Sequence, residues 1–183
     1  METIKKISNL KDLNIDKSWT LFLDRDGVIN KRLMADYVKN LGEFEFLEGA
    51  IDAISKFSEI FGRIFVVTNQ RGVFAKIMTA DDVDFIHNHM VSEINKAGGK
   101  IDGIYYCPHD RNEGCSCRKP SPGMAFQAQK DFPEVDLDKA IMVGDTTPDM
   151  VFGKNAGMYT IMITSEPTEE FSAPSLIELS KLF

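Results

Sequence analysis

The stretch that most constrains this chain lies near its amino end. Trp19-Thr-Leu-Phe-Leu is an apolar run rich in strand-forming residues, and it stops abruptly at Asp24-Arg25-Asp26-Gly27. Two carboxylates two positions apart, followed at once by a glycine able to turn the chain, read as a strand that delivers charge to its carboxyl end. In an open α/β sheet, ligands bind in the crevice outside the strand ends, so these side chains lie where chemistry happens. A solvated turn is the plainer reading of the tetrapeptide alone; the rest of the chain weighs against it.

The same arrangement recurs downstream. Ile64-Phe-Val-Val ends at Thr68-Asn69-Gln70-Arg71-Gly72, and a third run over 101–106 leads into a cysteine cluster and then Arg118-Lys119-Pro120. Residues 140–144 end at Asp145, and residues 159–163 form a fifth expected strand. Helical patterns separate the strands. Ile51, Ile54, Phe57, Ile60 and Phe61 recur at helical spacing up to Gly62, and Thr79 precedes Asp82 as in a capping box. Pro122 suits the first residue of a helix to about 130, Asp149 falls on a helix ending at Gly157, and residues 172–183 read as a last helix. Strands alternating with helices predict an α/β fold: a Rossmann-like three-layer sandwich with a mostly parallel central sheet and right-handed crossovers. His87 and His89, two apart on a predicted helix, face different sides and do not pair as metal ligands.

Length and composition fit one domain over residues 1–183, with residues 1–18 as an N-terminal arm whose Ile7, Leu10 and Leu13 form a short apolar stripe. A net charge of −7 weighs against nucleic acid or an anionic membrane as the main partner, so any phosphate site must be a local basic pocket. No signal-peptide pattern or membrane-length apolar run is visible, and the expectation is a cytoplasmic monomer acting on a small molecule.

All three cysteines fall within 107–117, together with one of the three histidines. An odd count clustered so tightly does not suit a secreted disulfide framework. Cys107, His109, Cys115 and Cys117 offer three thiolates and one imidazole, which closes a tetrahedral zinc shell and leaves no open position. Such a site is structural, and the loop it holds ends directly at Arg118-Lys119.

Asp24-Arg25-Asp26-Gly27, Thr68-Asn69, Lys119 and Gly144-Asp145 through Asp149, in this order and each at or just after a strand end, resemble the motifs of the haloacid dehalogenase superfamily. The resemblance covers roughly residues 19–163 and implies phosphate-ester hydrolysis without a large cap domain. It implies Asp24 as nucleophile, Asp26 as general acid and base, and Thr68 and Asn69 as donors to the phosphoryl oxygens, with Lys119 offsetting the charge. A hard Mg²⁺ suits such a site, taking the Asp24 carboxylate, the Asp26 backbone carbonyl and Asp145. Asp149 is expected to act through water or to orient its neighbours. The chemistry explains the residue types: phosphate monoesters are among the slowest substrates to react in water, so positioning and charge neutralisation must both be large.

The zinc loop, Cys-x-Cys-Arg-Lys-Pro and Thr-Asn-Gln-x-Gly narrow the resemblance to the branch holding heptose-bisphosphate and histidinol-phosphate phosphatases. That branch implies a small phosphorylated sugar as substrate, the heptose compound first and histidinol phosphate second. Arg118, with Arg71 and basic neighbours Lys31, Arg32, Lys39 and Lys76, favours a substrate with a second phosphate. A non-catalytic, zinc-stabilised binding module on the same fold is the rival of another class. Two departures stand out: the five-residue spacer between His109 and Cys115 is closer to the histidinol-phosphate type, and Phe74 takes a place where the family more often has a small residue.

Overall fold

The computed structural model describes residues 5–34 and 36–183. Its centre is a sheet of six strands: β1 (Thr20–Leu23), β2 (Arg63–Asn69), β3 (Gly103–Cys107), β4 (Ala140–Gly144), β5 (Tyr159–Ile163) and β6 (Phe171–Ala173). They lie in the order β3-β2-β1-β4-β5-β6, and every neighbouring pair is parallel. Five helices cover the faces: α1 (Ala50–Ile60), α2 (Ala80–Lys96), α3 (Gly123–Asp131), α4 (Thr147–Asn155) and α5 (Leu176–Ser180).

The two-residue period of the strands divides the core. Leu21 and Leu23, Ile64 and Val66, and Ile141 and Val143 join one buried cluster with Ile54 and Phe57 of α1, Ile86 and Met90 of α2, and Leu176 and Leu179 of α5. The alternate side chains Phe22, Phe65, Val67 and Met142 join a second cluster with Met124 and Ala128 of α3 and Phe152 of α4. Both faces of the central strands are thereby dry, as a parallel sheet requires, and the three-layer expectation is met. The Thr79–Asp82 capping box opens α2 as expected, with each side chain accepting from the other's backbone N–H.

The carboxyl end of the chain departs from the reading. Residues 171–173 pair with β5 as a sixth strand, and only Leu176–Ser180 is helical, capped by the Ser175 hydroxyl. Pro174 accounts for the break, since the residue before a proline is pushed out of the helical region and into extended backbone. Pro122 caps α3 instead of forming its first turn. Part of the predicted arm, residues 1–4, lies outside the described residues; within the rest, Leu10–Leu13 form a 3-10 turn and Leu10 is buried against the first core cluster. Among the described residues, the connection from Asp24 to Gly49 carries turns, bends and isolated bridges, and no cap domain forms. No described helix is long and apolar enough to cross a membrane.

Candidate active site

From β1 the chain steps outward to β2 and β3, then returns past β1 to β4 and continues to β5 and β6. The order therefore reverses between β1 and β4, and a crevice opens at their carboxyl ends. Asp24 follows β1 and Asp145 follows β4, and the Asp24 N–H donates to the Val143 carbonyl at 2.9 Å, which locks the two ends together. Carboxylate oxygens of Asp24, Asp145 and Asp149 all lie within 4.8 Å of one another. The turn after Asp26 depends on Gly27: its φ is +95°, and a Cβ there would sit 2.1 Å from Asp145 Oδ2.

Lys119 reaches under this crevice. Its ammonium donates to Asp24 Oδ1 at 2.7 Å and the Val67 carbonyl at 2.8 Å, and lies 2.6 Å from Asp149 Oδ1. Three donors meet three acceptors, all buried. Burial alone would lower the Lys119 pKa, but Asp24 and Asp149 outweigh it and hold the amine above its ordinary value. Asn69 clamps the same residue: its Oδ1 accepts from the Lys119 N–H at 3.0 Å and its Nδ2 donates to the Lys119 carbonyl at 3.2 Å. The side chain expected to hold phosphoryl oxygens thus grips the Lys119 backbone. Asp149, on α4, caps its own helix through Thr146 and pairs with Lys119.

Asp26 is held by three neighbours. Its Oδ1 accepts from Arg25 at 2.8 Å and from Asn30 at 2.9 Å, and its Oδ2 accepts from Gln70 at 3.0 Å. Burial would raise this carboxyl, yet these donors keep it below the usual carboxylate range. Arg25 is itself fully buried and pairs with His87 Nε2 at 3.2 Å. Burial and the adjacent guanidinium drive His87 down to about 3, so the imidazole is neutral and accepts. Gln70 also donates to Thr68 Oγ1 at 2.9 Å, which leaves the threonine hydroxyl proton free to donate.

Charge is least well balanced at Asp24 and Asp145. Burial, with Asp149 and Asp26 nearby, pushes Asp24 up to about 7 against the pull of Lys119. Burial likewise raises Asp145 to about 6 against Arg32. These oxygens fit a hard divalent cation, and the structure offers a stand-in for one. Arg32 Nη2 lies 2.8 Å from the Asp26 carbonyl, 2.9 Å from Asp145 Oδ1 and 3.6 Å from Asp24 Oδ2. A guanidinium nitrogen thus bridges the same three residues that the sequence reading gives to Mg²⁺.

The second cluster, Cys107, His109, Cys115 and Cys117, brings its four donor atoms within 4.8 Å of one another. Cys107 Sγ is 3.6 Å from both Cys115 Sγ and His109 Nδ1, and His109 Nδ1 is 3.2 Å from Cys117 Sγ. A tetrahedral zinc with bonds of about 2.0–2.3 Å places its ligands roughly 3.4–3.8 Å apart, so the donor set fits, as do the two 3.6 Å separations, while His109 and Cys117 lie slightly closer. Arg118 follows at once, one nitrogen donating to the His109 carbonyl at 3.1 Å.

A cavity of about 730 Å³ opens above the crevice, lined among others by Arg32, Tyr37, Thr68, Arg111, Arg118 and Pro148. Three other basic candidates are held by acidic partners. Arg71, expected to touch substrate, pairs with Asp110 and donates to the Tyr37 hydroxyl, and it does not line the cavity. Lys31 faces Glu45 and Lys39 faces Asp36. Sequence reasoning missed Arg111 and the supporting roles of Gln70, Asn30 and the Arg25–His87 pair; only His87, on the apolar stripe of α2, left a trace that could have been followed.

A family model described as HAD-hydrolase-like matches residues 116–176. The chain is 44% identical over 137 residues to the D-glycero-alpha-D-manno-heptose-1,7-bisphosphate 7-phosphatase of Mycobacterium bovis, covering 75% of this chain and 72% of that protein. It is 38% identical to the enzyme of that name from Campylobacter jejuni, over 84% of this chain and 87% of the other. Among solved structures, the D,D-heptose 1,7-bisphosphate phosphatase of B. bronchiseptica, complexed with magnesium and phosphate, superposes with a TM-score of 0.81 at 28% identity, over 89% of this chain and 96% of that one. Descent and strand-end chemistry agree: the chain belongs to the haloacid dehalogenase-like hydrolases, in the family of heptose-1,7-bisphosphate 7-phosphatases.

Proposed function

We propose that this chain is a phosphatase that removes the C7 phosphate of D-glycero-D-manno-heptose 1,7-bisphosphate through an aspartyl-phosphate. The observation that carries the reading is the convergence of Asp24, Asp26, Lys119 and Asp145 at one crevice beneath a cavity with arginines on its walls. The names of its relatives agree with it. Asp24, Asp145 and the Asp26 carbonyl would hold magnesium, which would supply positive charge to neutralise and orient the phosphoryl group. Cys107, His109, Cys115 and Cys117 would hold zinc as a structural ion, and thiols arranged for a metal suit a reducing, cytoplasmic setting.

The residues divide the work as follows. Asp24 attacks phosphorus while the sugar C7 oxygen leaves with its electron pair, and Lys119 fixes one oxygen of the attacking carboxylate. The Thr68 hydroxyl, which accepts from Gln70 and keeps its proton to give, donates to the phosphoryl oxygens as charge develops on them. Asp26 gives a proton to the leaving oxygen, loaded for this by the repulsion of the incoming phosphate dianion. Its partners Arg25, Asn30 and Gln70 favour the ionised form that remains, which then takes a proton from the water attacking the aspartyl-phosphate. Arg118, whose guanidinium has one protein partner among the described residues, binds the C1 phosphate in this reading, and its lining of the cavity together with Arg111 supports that role.

These arginines separate the substrate readings, because histidinol phosphate carries an ammonium group where the heptose compound carries a second phosphate. With Mg²⁺ present, kcat/KM for heptose 1,7-bisphosphate is expected to exceed that for histidinol phosphate by at least about 100-fold, the worth of one or two charge-assisted contacts. Phosphorus NMR should show release from C7. Preference for histidinol phosphate would overturn the substrate, and inactivity on a broad sugar-phosphate panel would overturn the enzyme.

Gly27 gives a further test. In Gly27→Ala the new methyl must displace the Asp145 carboxylate and the turn. Misplacement of about 1 Å at a reacting centre costs about 100-fold, so kcat/KM should fall at least that far while circular dichroism stays unchanged.

A further inference from the structure

Arg32 has no part in the reaction just described, yet it lies at the centre of the carboxylate cluster. Its Nη2 contacts the Asp26 carbonyl at 2.8 Å and Asp145 Oδ1 at 2.9 Å, and sits 3.6 Å from Asp24 Oδ2. Magnesium binds oxygen at about 2.0–2.1 Å, so an ion on these same oxygens overlaps the guanidinium nitrogen. The two cations exclude one another. We propose that Arg32 is a resident counter-cation of the metal site, displaced when magnesium enters, and that this competition sets the magnesium concentration at which the site fills. The inference rests on the proposed function in taking the metal to be magnesium.

Three observations support it. The cluster needs a cation, since carboxylate oxygens of Asp24, Asp145 and Asp149 lie within 4.8 Å of one another in a largely buried crevice. Lys119 cannot move to serve, because its ammonium is buried and already meets Asp24, Asp149 and the Val67 carbonyl. Arg32 can move: its side chain is 38% exposed and belongs to the connection after β1, outside both core clusters. A half-exposed guanidinium is held weakly enough for a divalent ion to replace it, and firmly enough for the replacement to cost affinity.

The test is a calorimetric titration with Mg²⁺ alone, on zinc-loaded protein dialysed free of magnesium. Arg32→Gln should bind Mg²⁺ tighter than wild type by about tenfold, the equivalent of one charge-assisted hydrogen bond no longer surrendered. Arg32→Lys, a point charge without the planar fork, should fall between the two. The thermal midpoint of Arg32→Gln should lie below wild type without Mg²⁺ and meet it at saturating Mg²⁺. Unchanged or weaker Mg²⁺ affinity in Arg32→Gln would overturn the proposal; if that variant does not fold without Mg²⁺, the Arg32→Lys affinity decides in the same way. No step of this test uses turnover. A protein that shows the affinity shift but hydrolyses no sugar phosphate refutes the proposed substrate and not the competition.

Discussion

Asp24→Asn is expected to abolish turnover and, at the same time, to make the magnesium-depleted protein more stable. Without the carboxylate no aspartyl-phosphate forms, and kcat should fall by at least about 10⁴-fold, as when a nucleophile acting in a unit is removed. The stability gain has a separate cause. Burial, abetted by Asp149 and Asp26, raises Asp24 to about 7 in the folded protein from an ordinary value of 3.8. Between those two values the folded chain binds a proton that the unfolded chain has released, so stability falls as pH rises through that window. Asparagine has no charge to bury and escapes this loss. At pH 8 the variant should therefore be more stable by roughly 1–3 kcal/mol, less than the full titration because Lys119 keeps only one anionic partner. At pH 4 the two proteins should converge. Saturating Mg²⁺ should favour wild type again by mass action, since the ion binds the native carboxylate cluster. Thermal unfolding at the two pH values, with and without Mg²⁺, checks each part; a variant that is active, or that is less stable at pH 8, would contradict it.

The residues that could be read from the sequence are those whose role follows from position along the chain. Asp24, Lys119 and Asp145 each lie at or just beyond a run of strand-forming residues, or on the loop leading from one, and a parallel sheet brings such ends together whatever the details of packing. The Cys/His cluster could be picked out because cysteine is rare and all three copies fall within 107–117, and the fold brings its four donor atoms together. What escaped depends on where side chains turn after the strands end. Nothing in local spacing says that the Gln70 amide bends back to join Asp26 to Thr68, or that Asn69 grips the Lys119 backbone. The basic residues after β1 look alike in sequence. Only the fold distributes them, sending Arg32 to the carboxylates, Lys31 to Glu45 and Lys39 to Asp36. The sixth strand was missed for another reason: three residues, Phe-Ser-Ala, are too few to show a period, and the pairing that makes them a strand comes from β5.

Cys115→Ser should lose the bound zinc, and with it most of the activity, while leaving the magnesium site able to bind. Serine is the same size but is neutral and hard, so the fourth ligand is lost and the three that remain do not close the shell. The loop between β3 and α3 has little else to hold it. Apart from its cysteines, residues 108–117 contribute no side chain to either core cluster, and the fixed points are hydrogen bonds such as Phe74 N–H to the Pro108 carbonyl and Arg118 to the His109 carbonyl. Zinc binding worth on the order of 10 kcal/mol far exceeds a few such bonds at about 1 kcal/mol each. When the loop loosens, Arg118 and Lys119, which follow it directly, lose their placement over Asp24. A fall in kcat/KM of about 100-fold or more is expected, in line with misplacement of a reacting group. Asp24, Asp26 and Asp145 follow β1 and β4, which pair with each other and not with the loop, so calorimetric Mg²⁺ affinity should stay within a few-fold of wild type. Metal analysis, turnover and Mg²⁺ titration on one preparation separate the outcomes. Full activity without zinc would show that the loop holds its shape unaided, and a parallel loss of Mg²⁺ affinity would show that its influence reaches the whole sheet edge.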